Sequence, residues 1–134
     1  AFVLFDLEES GLIGSSEFAS KHKKNMKDKL LINFDCVSDG KKMLFVFNKK
    51  AKGMSELLSK SYVSVDNVES QMVVKNGFYP SDQAGFPIGV GVCAVIKGKH
   101  FEYIDKIHTN KDTVLREENI LYLVDKSIDL VDKI

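Results

Sequence analysis

Leu30-Leu31-Ile32-Asn33-Phe34-Asp35-Cys36-Val37 is an apolar run broken by one amide and one carboxylate, and Ser38-Asp39-Gly40, a turn signal, closes it. Eight residues is strand length, and apolar side chains on successive positions predict a strand covered on both faces. The same pattern recurs on either side, at Ala1 to Phe5 (AFVLF), Met43 to Phe47 (MLFVF) and Gly89 to Ile96 (GVCAVI after Gly89-Val90). β-Branched and aromatic content favours strand over helix in such short runs. Between them, Ser15 to Lys29 reads as a helical stretch with sparse apolar residues and a solvated lysine face, and Met54 to Ser59 as a short helix. Tyr62 to Val74 alternates only weakly, and Lys75 to Phe86, with Gly77, Pro80 and Gly85, predicts a loop. Thr113 to Ile134 carries Ile120, Leu121, Val124, Ile128 and Val131 at three- and four-residue spacing, the stripe of an amphipathic helix, with Thr109 and Asp112 as candidate N-caps. Helical patterns between fully apolar strands predict a layered α/β domain with a mixed, largely parallel sheet flanked by helices.

The chain has 134 residues, a length that fits a single domain. Its 19 Lys plus Arg balance its 19 Asp plus Glu, so no long-range attraction draws it to nucleic acid or an anionic membrane. Arg116 is the only arginine, which leaves almost no capacity for bidentate guanidinium recognition of phosphate. The longest nearly unbroken apolar stretch, Phe86 to Ile96, is interrupted by Pro87, Gly89 and Gly91 and falls short of the roughly 20 residues a spanning helix needs, so this segment is expected to make no membrane contact. Cys36 and Cys93 lie in apolar runs, as small buried hydrophobes do, and two cysteines make no disulfide scaffold.

The functional crevice of an open α/β sheet lies beyond the carboxyl ends of its strands. Glu8 and Glu9 follow the first apolar run, Asp35 ends the second, and His108 lies in the loop before the last helix. Asp35 is the most informative of these. A carboxylate inside an apolar strand is expensive unless something compensates it, and a bound cation is one candidate. Carboxylates with a neutral imidazole form a donor set suited to zinc.

Phe2-Val3-Leu4-Phe5-Asp6-Leu7-Glu8-Glu9-Ser10-Gly11-Leu12-Ile13-Gly14-Ser15 resembles the strand, Glu-Glu, Gly-Leu-x-Gly-Ser block of the dizinc aminopeptidases, a family whose relatives include glutamate carboxypeptidases and glutaminyl cyclases. Asn33-Phe34-Asp35 is similar to the family's Asn-x-Asp strand, Ser81 to Phe86 to its Ser-Asp-His-x-x-Phe segment, and His108 to Thr113 to its His-Thr-x-x-Asp-Thr segment. The four blocks occur in the family's order. The resemblance implies a three-layer α/β/α exopeptidase fold, with Glu8 as general base, Glu9 and His108 on one zinc and Asp35 on the second. It also implies an oxyanion contact from Tyr79, and structural roles for Asp82, Asp112 and Thr113. Gln83 stands where the family has histidine, a change that bears on substrate contacts or loop packing more than on metal.

The family's His-x-Asp block and its metal-bridging Asp precede the Glu-Glu block, and neither occurs in the seven residues before Glu8. The resemblance therefore implies that residues 1–134 are the C-terminal portion of a single zinc-peptidase domain, inactive alone. Further ligands would come from an upstream part of the same polypeptide or from a homo-oligomer partner. The implied activity is aminopeptidase-type hydrolysis of a peptide substrate at a two-zinc site. The alternatives are a non-catalytic interaction module of the same fold and a glutaminyl cyclase-like enzyme with one zinc.

Overall fold

The computed structural model describes residues 1–48, 50–54, 58, 69–73, 80–100 and 102–132. Five strands form one mixed sheet: β1 (Leu30–Phe34), β2 (Lys42–Phe47), β3 (Glu69–Val73), β4 (Ile88–Lys97) and β5 (Glu102–Tyr103). The order is β1-β4-β2-β3, with β5 on β4. β1 runs parallel to β4 with Leu30 opposite Ile88, and β2 parallel to β3 with Lys42 opposite Glu69. The β2–β4 and β4–β5 pairs are antiparallel. Among the described residues the helices are α1 (Ile13–Lys21) and α2 (Glu117–Val131), with 3-10 turns at Ala51–Met54 and Asp82–Gly85.

The period of two along β2 and β4 sorts side chains onto the two faces. Met43, Phe45 and Phe47 with Val90, Val92 and Ala94 build the main core, which Leu58 and, from α2, Leu123 and Leu130 cover. The opposite face carries a smaller cluster, Leu44, Val46, Cys93 and Val95, flanked by Cys36 and Ile104. The 3-10 turn Asp82–Gly85 lies over this second face, where a Cβ on Gly91 would stand 2.7 Å from Gln83 Nε2. Only a glycine lets the turn approach so closely. The turn also meets α1, where a Cβ on Gly85 would stand 3.5 Å from Ala19 Cβ.

Several predicted elements differ. Ala1 to Phe5 is not a strand: Phe2 and Leu4 are fully exposed, and only Phe5 packs, its ring 5.5 Å from Phe18 and 5.9 Å from Phe86. A strand exists only where a neighbour takes up its backbone hydrogen bonds, and none of the described strands pairs with this run. The first helix ends at Lys21, eight residues short of the predicted limit, and residues 22–28 form turns. Met54 ends a 3-10 turn, and most of the helix predicted from Met54 to Ser59 lies outside the described residues. Part of the weakly alternating Tyr62 to Val74 is β3. Within the predicted loop, Asp82 to Gly85 is the 3-10 turn that seats Gln83 on the sheet.

The last helix presents the face opposite to the predicted one. Leu121, Val124, Ile128 and Val131 are all more than half exposed, whereas Asn119, Leu123 and Leu130 are buried. Asn119 sets the rotation: its Nδ2 donates to Ser38 O and to Gly40 O, both at 3.0 Å, and a buried amide must find such partners. Neither Thr109 nor Asp112 caps this helix, which starts at Glu117 after an extended Arg116. Thr109 Oγ1 instead donates to Lys106 O at 2.6 Å, closing a turn in the preceding loop.

Candidate active site

Glu8 and Glu9 stand at the entry to α1, in a turn wound by backbone bonds. Gly11 and Leu12 N donate to Glu8 O, Ile13 N to Leu7 O and Gly14 N to Asp6 O. A Cβ on Gly14 would stand 2.6 Å from Asp6 O, so the second glycine of Gly-Leu-Ile-Gly is a steric necessity of this turn. The winding brings both glutamates to the rim of a cavity of about 260 Å³.

Asp35 lies one residue beyond β1, yet its N still donates to Val92 O at 3.0 Å, and Cys36 O accepts from Ala94 N at 2.9 Å. Cys36 itself takes a left-handed φ of 54°, which ends regular pairing and turns Asp35 toward the cavity. Two side chains compensate this carboxylate. Ser81 Oγ donates to Oδ2 at 2.7 Å and Cys36 Sγ to Oδ1 at 3.2 Å. Asn33 Nδ2 donates to Ser81 Oγ at 2.9 Å and to Gln83 Oε1 at 3.1 Å. Asn33, Ser81 and Gln83 thus form one network behind Asp35. Asp82 is buried, and its Oδ1 finds no hydrogen-bond partner among the described residues.

His108 comes from the loop after β5 and also takes a left-handed φ, 60°. Its Nε2 lies 2.7 Å from Glu9 Oε1 at the mouth of the cavity, both side chains being largely exposed. Four of the predicted site residues, Glu8, Glu9, Asp35 and His108, therefore line one cavity. Tyr79 lies outside the described residues. Among the described residues, no group of three or more His, Cys, Asp and Glu side chains converges on one metal position.

Burial pushes the Glu8 carboxyl above its usual range, and the negative charges of Asp35, Glu9 and Asp82 push the same way against a smaller opposing effect of His108. Burial also pushes the thiols of Cys36 and Cys93 up to about 12, with Asp35 adding to both. Neither sulfur is a thiolate near neutral pH, so the reactive groups at this cavity are carboxylates and an imidazole. Sequence reasoning missed the apolar wall, formed by Val46, Cys93, Ile104 and Ile107. Val46 and Cys93 are recognisable only as strand residues until the sheet fixes which face each occupies.

The chain is similar to the aminopeptidase LapA of Legionella pneumophila, known from its crystal structure, with a TM-score of 0.72 at 19% identity. The similarity covers 98% of this chain and 38% of LapA, so the chain spans well under half of that protein's length. At that identity the likeness establishes a common fold. No curated protein matches the chain. The family model of peptidase family M28 matches residues 1–121, which include Glu8, Glu9, Asp35, Ser81 and His108, and the chain belongs to that family.

Proposed function

We propose that this chain contributes the general base and part of the ligand set of a two-zinc aminopeptidase. The observation that carries the reading is the gathering of Glu8, Glu9, Asp35 and His108 around one cavity from segments far apart in sequence. The donors suit zinc in kind, oxygen and imidazole nitrogen, and Glu9 and His108 are already in contact. They do not suffice in number, since a catalytic zinc takes about three protein ligands. In this reading Glu9 and His108 hold one ion and Asp35 the other, and residues beyond these four complete the centre. Residues 1–134 are then the C-terminal portion of the peptidase domain. When bound, zinc supplies Lewis acidity to water and to the scissile carbonyl.

The chain's own residues supply the rest. Glu8, next to a ligand in the chain and lining the same cavity, takes a proton from the attacking water and returns it to the departing amine. Its raised proton affinity suits that exchange. Ser81 and Asn33 hold Asp35 in place. Among the described residues, the cavity lining offers no charged side chain apart from the carboxylates assigned to zinc and to proton transfer, and it includes no lysine or arginine to pair with a substrate carboxylate, which favours an aminopeptidase. The apolar wall suits an aliphatic first side chain.

The test is zinc-dependent turnover of leucyl p-nitroanilide, its N-acetylated form and glutamyl p-nitroanilide by the polypeptide carrying this chain and the complete ligand set. The leucyl amide should be cleaved and the other two spared, and Glu8→Gln should abolish cleavage with zinc content unchanged. Full activity of Glu8→Gln would sink the assignment. Absence of turnover with two zincs bound would favour a non-catalytic interaction module.

A further inference from the structure

The loop that carries His108 is tied to the body of the protein at one buried carboxylate, Asp39, whose side chain is only 11% exposed. Lys106 Nζ donates to Asp39 Oδ2 at 3.2 Å, and Arg116 Nε, from the only arginine, lies 3.5 Å from Oδ1 as an ion pair without hydrogen-bond geometry. The turn holding Asp39 is itself clamped. Asn119 binds the carbonyls on either side of it, and Ser38 Oγ donates to Val114 O at 3.2 Å.

Lys106 and His108 both adopt left-handed backbone conformations, with φ of 57° and 60°. Such conformations are unfavourable for residues with a Cβ and persist where surrounding contacts fix them. Two contacts do so here: the Lys106–Asp39 ion pair, and Lys106 O, which accepts from Thr109 N and Thr109 Oγ1. The first joins the loop to the segment that also carries Asp35, four residues before Asp39.

From this geometry we infer that Asp39 is a positioning residue: through Lys106 it fixes the loop that sets His108 against Glu9. The inference rests on the zinc reading of His108 and deepens it, because one turn then orients both Asp35 and His108. No role in holding His108 follows from the family blocks, none of which includes Asp39.

The test uses the polypeptide carrying this chain and the complete ligand set, Zn²⁺ alone as the titrant, and the NMR signals of the His108 imidazole, assigned by their loss in His108→Ala. Asp39→Asn and Lys106→Met should each shift or broaden those signals without zinc and weaken Zn²⁺ binding about tenfold, the scale found when groups supporting a metal ligand are removed. The double variant should lose less than the sum of the two single ones, because both break the Lys106–Asp39 contact, while Asp39→Asn also removes the Arg116 pair and Lys106→Met the Asp105 pair. Lys126→Met, which removes ion pairs on α2, should change neither reading. Lys106 is partly exposed, so Lys106→Met keeps the test informative should Asp39→Asn fail to fold. Folded variants with wild-type imidazole signals would overturn the inference, whatever their melting temperature. If His108→Ala leaves zinc affinity unchanged, the zinc reading falls, and the imidazole signals alone decide whether Asp39 positions the loop.

Discussion

His108 Nε2 and Glu9 Oε1 meet at 2.7 Å although 99 residues separate them in the chain. Both side chains are largely exposed, and pairs of this kind contribute only about 0–1 kcal/mol to stability. Their proximity matters for what they bind. Glu9→Ala and His108→Ala should each leave the thermal midpoint within about 4 °C of wild type while weakening zinc binding at least about tenfold, read by calorimetric titration. Unchanged zinc affinity in both variants would refute the pairing of these residues on one ion.

The raised proton affinity of Glu8 makes a statement about stability and pH. The folded chain holds this proton more tightly than the unfolded chain, whose carboxyl titrates near 4.5. The resulting stabilisation is complete below that value and is lost as pH rises through the higher folded value. Urea unfolding of the zinc-free chain should therefore show wild type losing stability relative to Glu8→Gln as pH rises from about 4 toward neutrality. Parallel pH profiles for the two would mean that neither burial nor the neighbouring carboxylates raise the proton affinity of Glu8.

Gly91 lies directly beneath Gln83. A methyl group there must push Gln83 away, and Gln83 accepts from the Asn33 amide that also supports Ser81. Gly91→Ala should destabilise the fold by about 1–3 kcal/mol, as overpacking does, and weaken zinc binding through Asp35. Denaturant midpoints with calorimetry on the same samples check both effects. A variant as stable as wild type with unchanged zinc affinity would show that the network behind Asp35 has no influence on it.

β1, β2 and β4 were legible because continuous apolar runs bounded by turns leave few alternatives to buried strands. The site residues were legible only as a set: Glu8, Glu9, Asp35 and His108 are individually ordinary, and it is their order among the four blocks that points to one cavity. Ala1 to Phe5 misled because apolar composition alone secures neither burial nor pairing: Phe2 and Leu4 are exposed, and no described strand takes up the backbone of this run. The Asp39 cluster was illegible because an ion pair between Ser38-Asp39-Gly40 and Lys106 depends on loop positions that no local pattern encodes. Arg116 did stand out, as the only arginine of a lysine-rich chain, but nothing in the sequence tells which carboxylate it meets.

The last helix shows how periodicity can identify a helix and still misplace its face. α2 has apolar residues on two sides, and the longer stripe, Leu121, Val124, Ile128 and Val131, faces away from the sheet. The shorter set of Leu123 and Leu130 is buried because Asn119 holds the carbonyls of Ser38 and Gly40. With this rotation, Leu123→Ala should cost about 2–5 kcal/mol, while Val124→Ser and Ile128→Ser should each stay within about 0.5 kcal/mol of wild type. Asn119→Ala should cost about 1–3 kcal/mol, by leaving two carbonyls without their donor. Chemical denaturation of the four variants decides between the faces: a large loss at Val124 and Ile128 with a small one at Leu123 would restore the orientation expected from spacing alone.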